Sequence, residues 1–219
     1  MDVAEGKSAA SGHTASIAGD YSVYKAIMQD AGAIVANDFC EFEDMLKLMV
    51  MLDKFNADTK ELAIISNAGF EAVGMADGLG SAKIAKLKQD TKEKVQAILK
   101  EAKLDQILSV HNPLDVTPSA NDKVYMACFK AMMADTKVGF CVLSCIPMTP
   151  AIKSIKDELG PDSLFYMVEE YAKQSTKPFV VVVDSGYLYD AACSVVKSVP
   201  VLREADRAIK VISALVRIV

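Results

Sequence analysis

Five consecutive apolar residues, Phe179-Val180-Val181-Val182-Val183, constrain this chain more than any other stretch. A strand with one face in water alternates apolar and polar side chains. An unbroken run rich in β-branched residues therefore has to be covered on both faces, as in a parallel sheet between two helical layers. Six runs read as strands: Ala33 to Ala36, Leu62 to Ser66, Ile84 to Leu87, Ile107 to Val110, Gly139 to Ile146 and Phe179 to Val183, with a seventh short one at Val199 to Leu202. They alternate with amphipathic segments, which is the pattern of βα units feeding a mostly parallel sheet.

The segments between them carry apolar residues at three- and four-residue spacing. After the capping candidate Asp38 come Phe39, Phe42, Met45, Leu46, Met49 and Leu52. Further helices are predicted from about Asp90 to Ala102, Asn121 to Ala134, Thr149 to Glu158, Asp162 to Gln174, Tyr187 to Lys197 and Glu204 to Val219. The eleven Met residues fall mostly on these stripes and read as core filler. Residues 1–20 differ, because Gly6-Lys7-Ser8-Ala9-Ala10-Ser11-Gly12 and Thr14-Ala15-Ser16-Ile17-Ala18-Gly19 have neither period. They read as a mobile arm, and residues 21–219 as one α/β domain.

With 219 residues, of which 52% are apolar, the chain can bury roughly 70% of the surface it exposes when unfolded. Disorder over most of its length is excluded. Twenty-four basic residues, scattered singly against 29 acidic ones, give no stripe for a nucleic-acid backbone. The longest uncharged stretch, Val138 to Ile152, is shorter than the roughly 18 apolar residues a spanning helix requires, so no membrane span is expected. The first residues, MDVAEGKSAASG, lack a basic and then apolar leader, which predicts a cytoplasmic location. Five cysteines, with no Cys-x-x-Cys pair, read as reduced hydrophobes rather than metal ligands or redox groups, and no metal site is expected.

In open parallel sheets, ligands bind where a strand hands over to a helix N-terminus, which presents free N–H groups and partial positive charge. Ile64-Ile65-Ser66-Asn67-Ala68-Gly69-Phe70 has that form, with Gly69 allowing close approach. The following stretch carries Gly69, Gly74, Gly78 and Gly80, costs roughly 1 kcal/mol per Gly as a helix and so requires close packing, most simply at the Gly74 face. A second loop, His111-Asn112-Pro113-Leu114-Asp115, also follows a predicted strand, and there Asn112 and Asp115 can order the backbone. The other histidine, His13, stands among Ser11, Gly12 and Thr14. An imidazole neutral at pH 7 with small neighbours is what a swinging phosphoryl carrier needs.

Read together, these words resemble the NDP-forming acyl-CoA synthetases, the ADP-forming acetate:CoA ligases related to succinyl-CoA synthetase. Ala9 to Asp20, followed by Tyr24-Lys25-Ala26 and Gln29 to Ile34, resembles the family's phosphohistidine segment. Leu62 to Asp77, with Ser66-Asn67-Ala68-Gly69, resembles the strand and helix that bind the phosphoryl group. Asn112-Pro113-Leu114-Asp115 resembles an Asn-Pro-Val-Asp loop near that site, and Pro200 to Arg203 with Ala205 to Ala208 is a similar ending.

The resemblance implies a flavodoxin-like three-layer domain with helices on both faces of the sheet. It implies an acid–thiol ligase that interconverts acyl-CoA, ADP and phosphate with acid, CoA and ATP through a phosphohistidine at His13. Asn67, Ala68, Gly69 and Phe70 would bind the phosphoryl group, with Asn112, Pro113 and Asp115 nearby. Complete members of the family also have a CoA-binding domain, a preceding flavodoxin-like domain and an ATP-grasp domain. ATP or ADP with Mg, and CoA, would therefore be held by other parts, on the same chain or a partner subunit, and this chain alone would bind no cofactor and be inactive; a homo-oligomer is also compatible. Where the family commonly has Gly-Gly-Pro after Asn-Ala, this chain has Gly69-Phe70-Glu71, and an inward carboxylate there would repel phosphate. The rival reading is a non-catalytic regulatory or binding module, like the synthetase-like regions of protein acetyltransferases, in which the histidine is typically absent.

Overall fold

A computed structural model describes residues 20–53, 60–106 and 109–216. In chain order the elements are α1 (Tyr21–Asp30), α2 (Phe39–Leu52), β1 (Glu61–Ser66), α3 (Gly69–Asp77), β2 (Lys83–Ile84), α4 (Gln89–Glu101), β3 (Leu114–Asp115), α5 (Asp122–Met133), β4 (Phe140–Cys145), α6 (Leu164–Ala172), β5 (Phe179–Val183), α7 (Gly186–Val195), β6 (Val201–Leu202) and α8 (Ala205–Val216). Every strand pair is parallel, in the order β2-β1-β4-β5-β6, with β3 also on β1.

Burial alternates along the strands between two cores, as a doubly covered sheet requires. Ala63, Ile65, Phe179, Val181 and Val183 face α4, α5, α6 and α7, whereas Leu62, Ile64, Val180 and Val182 face α2, α3 and α8. The predicted flavodoxin-like three-layer arrangement is therefore present, and all strand carboxyl ends lie along one edge.

Several local expectations are corrected. Ala33 to Ala36 forms no strand, because Gly32, at φ +87°, closes α1 and the next residues pack as loop before Asp38 caps α2. Of Ile84 to Leu87, only Ile84 joins a strand, in β2. In the predicted strand Ile107 to Val110, residues 107–108 lie outside the described ones and the remainder is unpaired; pairing occurs instead at Leu114–Asp115. The predicted helix Thr149 to Glu158 is a turn ending in a 3-10 turn at Lys156–Glu158. Its polar groups are met otherwise: the Lys153 amide donates to Asp122 Oδ2, and the Ser154 side-chain hydroxyl donates to the Pro147 carbonyl.

The helix α1 has no sequence counterpart above. Asp20 caps it by accepting the Ser22 and Val23 amides, and it has no buried residue, exposing Val23, Tyr24, Ile27 and Met28. Packing at the glycines of α3 is borne out. A Cβ at Gly74 would lie 3.3 Å from Asp206 Oδ1, and one at Gly78 only 2.7 Å from Ile209 Cγ2, so the glycines allow α3 to approach α8.

Candidate functional site

Chemistry gathers where β1 meets α3. After Ser66 the chain turns through Asn67, and α3 begins at Gly69 with Ala68 as N-cap, which has no side chain able to cap. The Ala68 amide donates to Ser66 Oγ at 3.0 Å. The amides of Gly69 and Phe70 have no hydrogen-bond partner among the described residues, which leaves the helix start open for an acceptor.

Of the four residues expected to bind phosphate, two therefore offer free amides and two are committed. The Asn67 side chain is fully buried; its Nδ2 donates to the Ile146 carbonyl and its Oδ1 accepts the Ile146 amide, both at 2.8 Å, tying the ends of β1 and β4 together. Phe70 is exposed.

Glu71 points inward. At 2% exposure, its Oε2 accepts from Ser66 Oγ at 2.5 Å and from Ser144 Oγ, at the end of β4, at 2.8 Å. Its Oε1 is buried with no partner. Glu71 is three residues beyond the N-cap, the position from which a Glu side chain reaches back to the start of its own helix. Here Ser66 Oγ relays that contact to the Ala68 amide. Burial pushes the carboxyl above the ordinary glutamate range, the Ser66 and Ser144 hydroxyls partly offset this, and the Asp184 carboxylate after β5 raises it further. Tyr125 and Cys145 lie close enough to feel its charge, and their own groups are pushed up mainly by burial.

The loop residues have separate tasks. Glu61 and Leu62 of β1 pair with β2, and Ile65 and Ser66 pair with β3, so the two short strands lie end to end along one edge of β1. Asn112 fills the gap. Its Oδ1 accepts the Ile64 amide at 2.9 Å, and its Nδ2 donates to the Leu62 and Ala85 carbonyls at 2.8 and 3.0 Å. Pro113 follows through a cis peptide and leads into β3. Asp115 ends β3 beside the site: its Oδ1 accepts the Thr117 amide at 2.7 Å, and its Oδ2 would be 2.9 Å from a Cβ on Gly69. The His111 ring is exposed, with Nδ1 2.7 Å from the Ser109 carbonyl, and takes no part. His13 and the arm up to residue 19 lie outside the described residues.

Three groups at this edge escaped sequence reading: the paired hydroxyls of Ser66 and Ser144, and Asp184. Ser66 stood in the quoted turn, but only the parallel register, which sets Ser66 opposite Ser144, brings two hydroxyls to one carboxylate. Among the described residues no group of three or more His, Cys, Asp and Glu is placed to hold a metal ion, and no helix is long and apolar enough to cross a membrane. Cys128, Cys141 and Cys145 are buried, and burial pushes the Cys128 thiol up to about 12, so these sulfurs are inert packing groups.

Comparison with known proteins places this geometry in context. A family model described as a succinyl-CoA ligase like flavodoxin domain matches residues 2–49, the stretch that contains His13. The ADP-forming acetate–CoA ligase II subunit alpha of Pyrococcus furiosus is 27% identical over 190 residues, 85% of this chain and 39% of that protein. The ADP-forming acetate–CoA ligase II of Archaeoglobus fulgidus is 29% identical over 174 residues, 77% of this chain and 24% of its own length. A solved dinucleotide-forming acetyl-coenzyme A synthetase 1 of Ca. Korarchaeum cryptofilum, in complex with phosphate and ADP, superposes with a TM-score of 0.74 at 20% identity. That superposition covers 98% of this chain and 44% of the solved one. The chain thus spans less than half the length of these proteins.

Proposed function

We propose that the chain belongs to the NDP-forming acyl-CoA synthetase family, whose members it resembles, and that it supplies the phosphohistidine and one of its oxyanion sites to an acid–thiol ligase whose CoA-binding and nucleotide-binding parts lie elsewhere. In this reading, acyl-CoA and phosphate give CoA and an acyl phosphate. The neutral imidazole of His13 attacks the phosphorus, the bond to the acyl oxygen breaks, and the carboxylic acid leaves as its anion. The phosphoryl group then passes from the imidazole to ADP, giving ATP and restoring His13.

The observation that carries this reading is the open start of α3. Two amides without partners, at the carboxyl edge of a parallel sheet, can stabilise a phosphoryl group by hydrogen bonds and by the helix dipole. Phosphoryl transfer depends mainly on such positioning and charge stabilisation. CoA, and ATP or ADP with Mg, would be held by the complementary parts. A second reading, a binding module without turnover, is favoured by one feature: the Asp115 carboxylate stands against Gly69, where it opposes an anion.

A coupled assay of acyl-CoA-dependent ATP formation separates the two. The purified chain should be inactive, and activity should appear when CoA-binding and ATP-grasp parts are supplied. Failure of those parts to restore activity favours the binding module, and steady turnover by the chain alone contradicts the assignment of parts.

A further inference from the structure

Residues 21–52 precede the sheet, and they leave both side chains and backbone without partners. α1 buries none of its residues and presents four large apolar side chains to solvent. α2 has two apolar faces. Met45 and Leu48 are buried in the core that α2 shares with α8, and Arg207 Nη2 donates to the buried Asp44 carboxylate at 2.6 Å. Phe39, Phe42, Leu46, Met49 and Val50, which the 3.6-residue period gathers on another side of the helix, are exposed, Phe39 at 89% and Val50 at 76%. Exposed apolar surface of that extent marks an interaction site.

Between the two helices runs Ala33-Ile34-Val35-Ala36, half-buried and apolar. The amides and carbonyls of Ile34, Val35 and Ala36 form no hydrogen bond among the described residues. Such a row of backbone donors and acceptors is a template for pairing with another strand.

The family match draws an independent boundary around the same stretch. The model is of a flavodoxin domain, yet it matches residues 2–49 and ends before β1, the start of this chain's own sheet. The matched stretch holds a helix, an unpaired apolar run and a second helix. That is a strand between two covering helices, without the sheet to which it would belong.

We propose that residues 21–52 dock as the closing element of a second flavodoxin-like sheet, carried by another part of the assembly, with residues 33–36 pairing as its parallel edge strand. Strand addition supplies the partners that Ile34, Val35 and Ala36 lack, and the exposed faces of α1 and α2 cover apolar surface of that domain. A second copy of this chain fits less well, because β2 and β6 at its sheet edges are two residues long and offer little to pair with. The inference rests on the family reading proposed above, and it names the partner surface that reading requires.

The test is hydrogen exchange on the purified chain, alone and co-expressed with a probe: the Pyrococcus furiosus subunit alpha truncated before its equivalent of Tyr21. Main-chain pairing tolerates the sequence difference between the two proteins. Alone, the amides of Ile34, Val35 and Ala36 should exchange freely. In the complex, alternate amides of the run should slow by about tenfold or more, since a strand paired along one edge turns every second amide toward its partner. Ile27→Asp and Phe39→Asp, both at exposed positions, should leave the unfolding midpoint of the lone chain unchanged and weaken the complex by about tenfold or more. A complex in which the three amides still exchange freely, or which neither substitution weakens, overturns the proposal and leaves the family reading standing. Protection of these amides in a dimer of the lone chain assigns the surface to a second copy and also overturns it. Absence of any complex overturns the proposal as well, and the coupled assay of ATP formation then decides the family reading separately.

Discussion

Asn112 Oδ1 accepts the Ile64 amide at 2.9 Å, and a side chain thereby completes the edge of β1 where no strand residue lies opposite. Its Nδ2 serves the Leu62 and Ala85 carbonyls at the same time, so one residue bridges the end of β2 and the start of β3. Replacing Asn112 by Ala orphans an amide and removes two donors at a partly buried position. The expected cost is about 2–3 kcal/mol in denaturant unfolding, with the slope of the transition unchanged. Asn112→Asp should not rescue it, because a carboxylate faces two carbonyls it cannot donate to.

The close approach of Gly78 to Ile209 makes a second stability prediction. Gly78→Ala places a methyl 2.7 Å from Ile209 Cγ2 and 3.3 Å from the Gly74 carbonyl. The gain in helix propensity should be outweighed by overpacking between α3 and α8, with a net loss of about 1–3 kcal/mol. Pairing the change with Ile209→Val should recover part of it, a coupling that thermal unfolding of the double variant measures.

The carboxylates separate by pH in opposite senses. Burial alone would raise Glu169, but the amides of Lys197 and Ser198 and the Ser198 hydroxyl hold it below the ordinary range. Its contribution is present above the unfolded glutamate value and is lost as pH falls through the folded one. Glu169→Gln should therefore be less stable than wild type at pH 7, by about 1–2 kcal/mol, with the gap closing in acid. Glu71 is raised, so its contribution is present at low pH and is lost as pH rises through the folded value. Glu71→Gln should match wild type in acid and be at least as stable above neutrality. Unfolding midpoints of the three proteins across the pH range test both signs.

At the candidate site, the Asp115 carboxylate is the charged group nearest the position a Cβ on Gly69 would take, at 2.9 Å. Asp115→Asn removes a charge beside the open amides and should tighten inorganic phosphate severalfold, by an amount that shrinks as salt is added. Gly69→Val should have the opposite effect, because its side chain occupies the space next to the donors. Titration of both variants against wild type checks the pair.

How much of this was legible in the sequence follows from which signals are local. Phe179–Val183 came out with the bounds it has in the structure, because an unbroken β-branched run is a local signature of a doubly covered strand. Thr149 to Glu158 has helical apolar spacing and a buried Ile152 yet forms no α-helix, because the segment's polar groups are met by Asp122 and Pro147, partners that a periodicity does not show. The turn Asn67 to Phe70 was found from its strand–Gly–helix form. The direction of Glu71 was not, since a charged residue in a first turn faces solvent or the sheet according to whether strand-end hydroxyls await it, and those come from β1 and β4 together. The sequence presents Asn112 as a residue that orders its own loop, whereas in the structure it orders the sheet.

The most direct test of the central claim is where phosphate becomes covalently attached. The chain, assembled with CoA-binding and ATP-grasp parts, is incubated with ATP labelled in its terminal phosphoryl group, and the label is located by proteolysis and mass analysis. Labelling that is acid-labile and base-stable, confined to His13 and absent from His13→Ala, is the predicted result. Label that persists in His13→Ala, or an assembled wild type that takes up none, contradicts it.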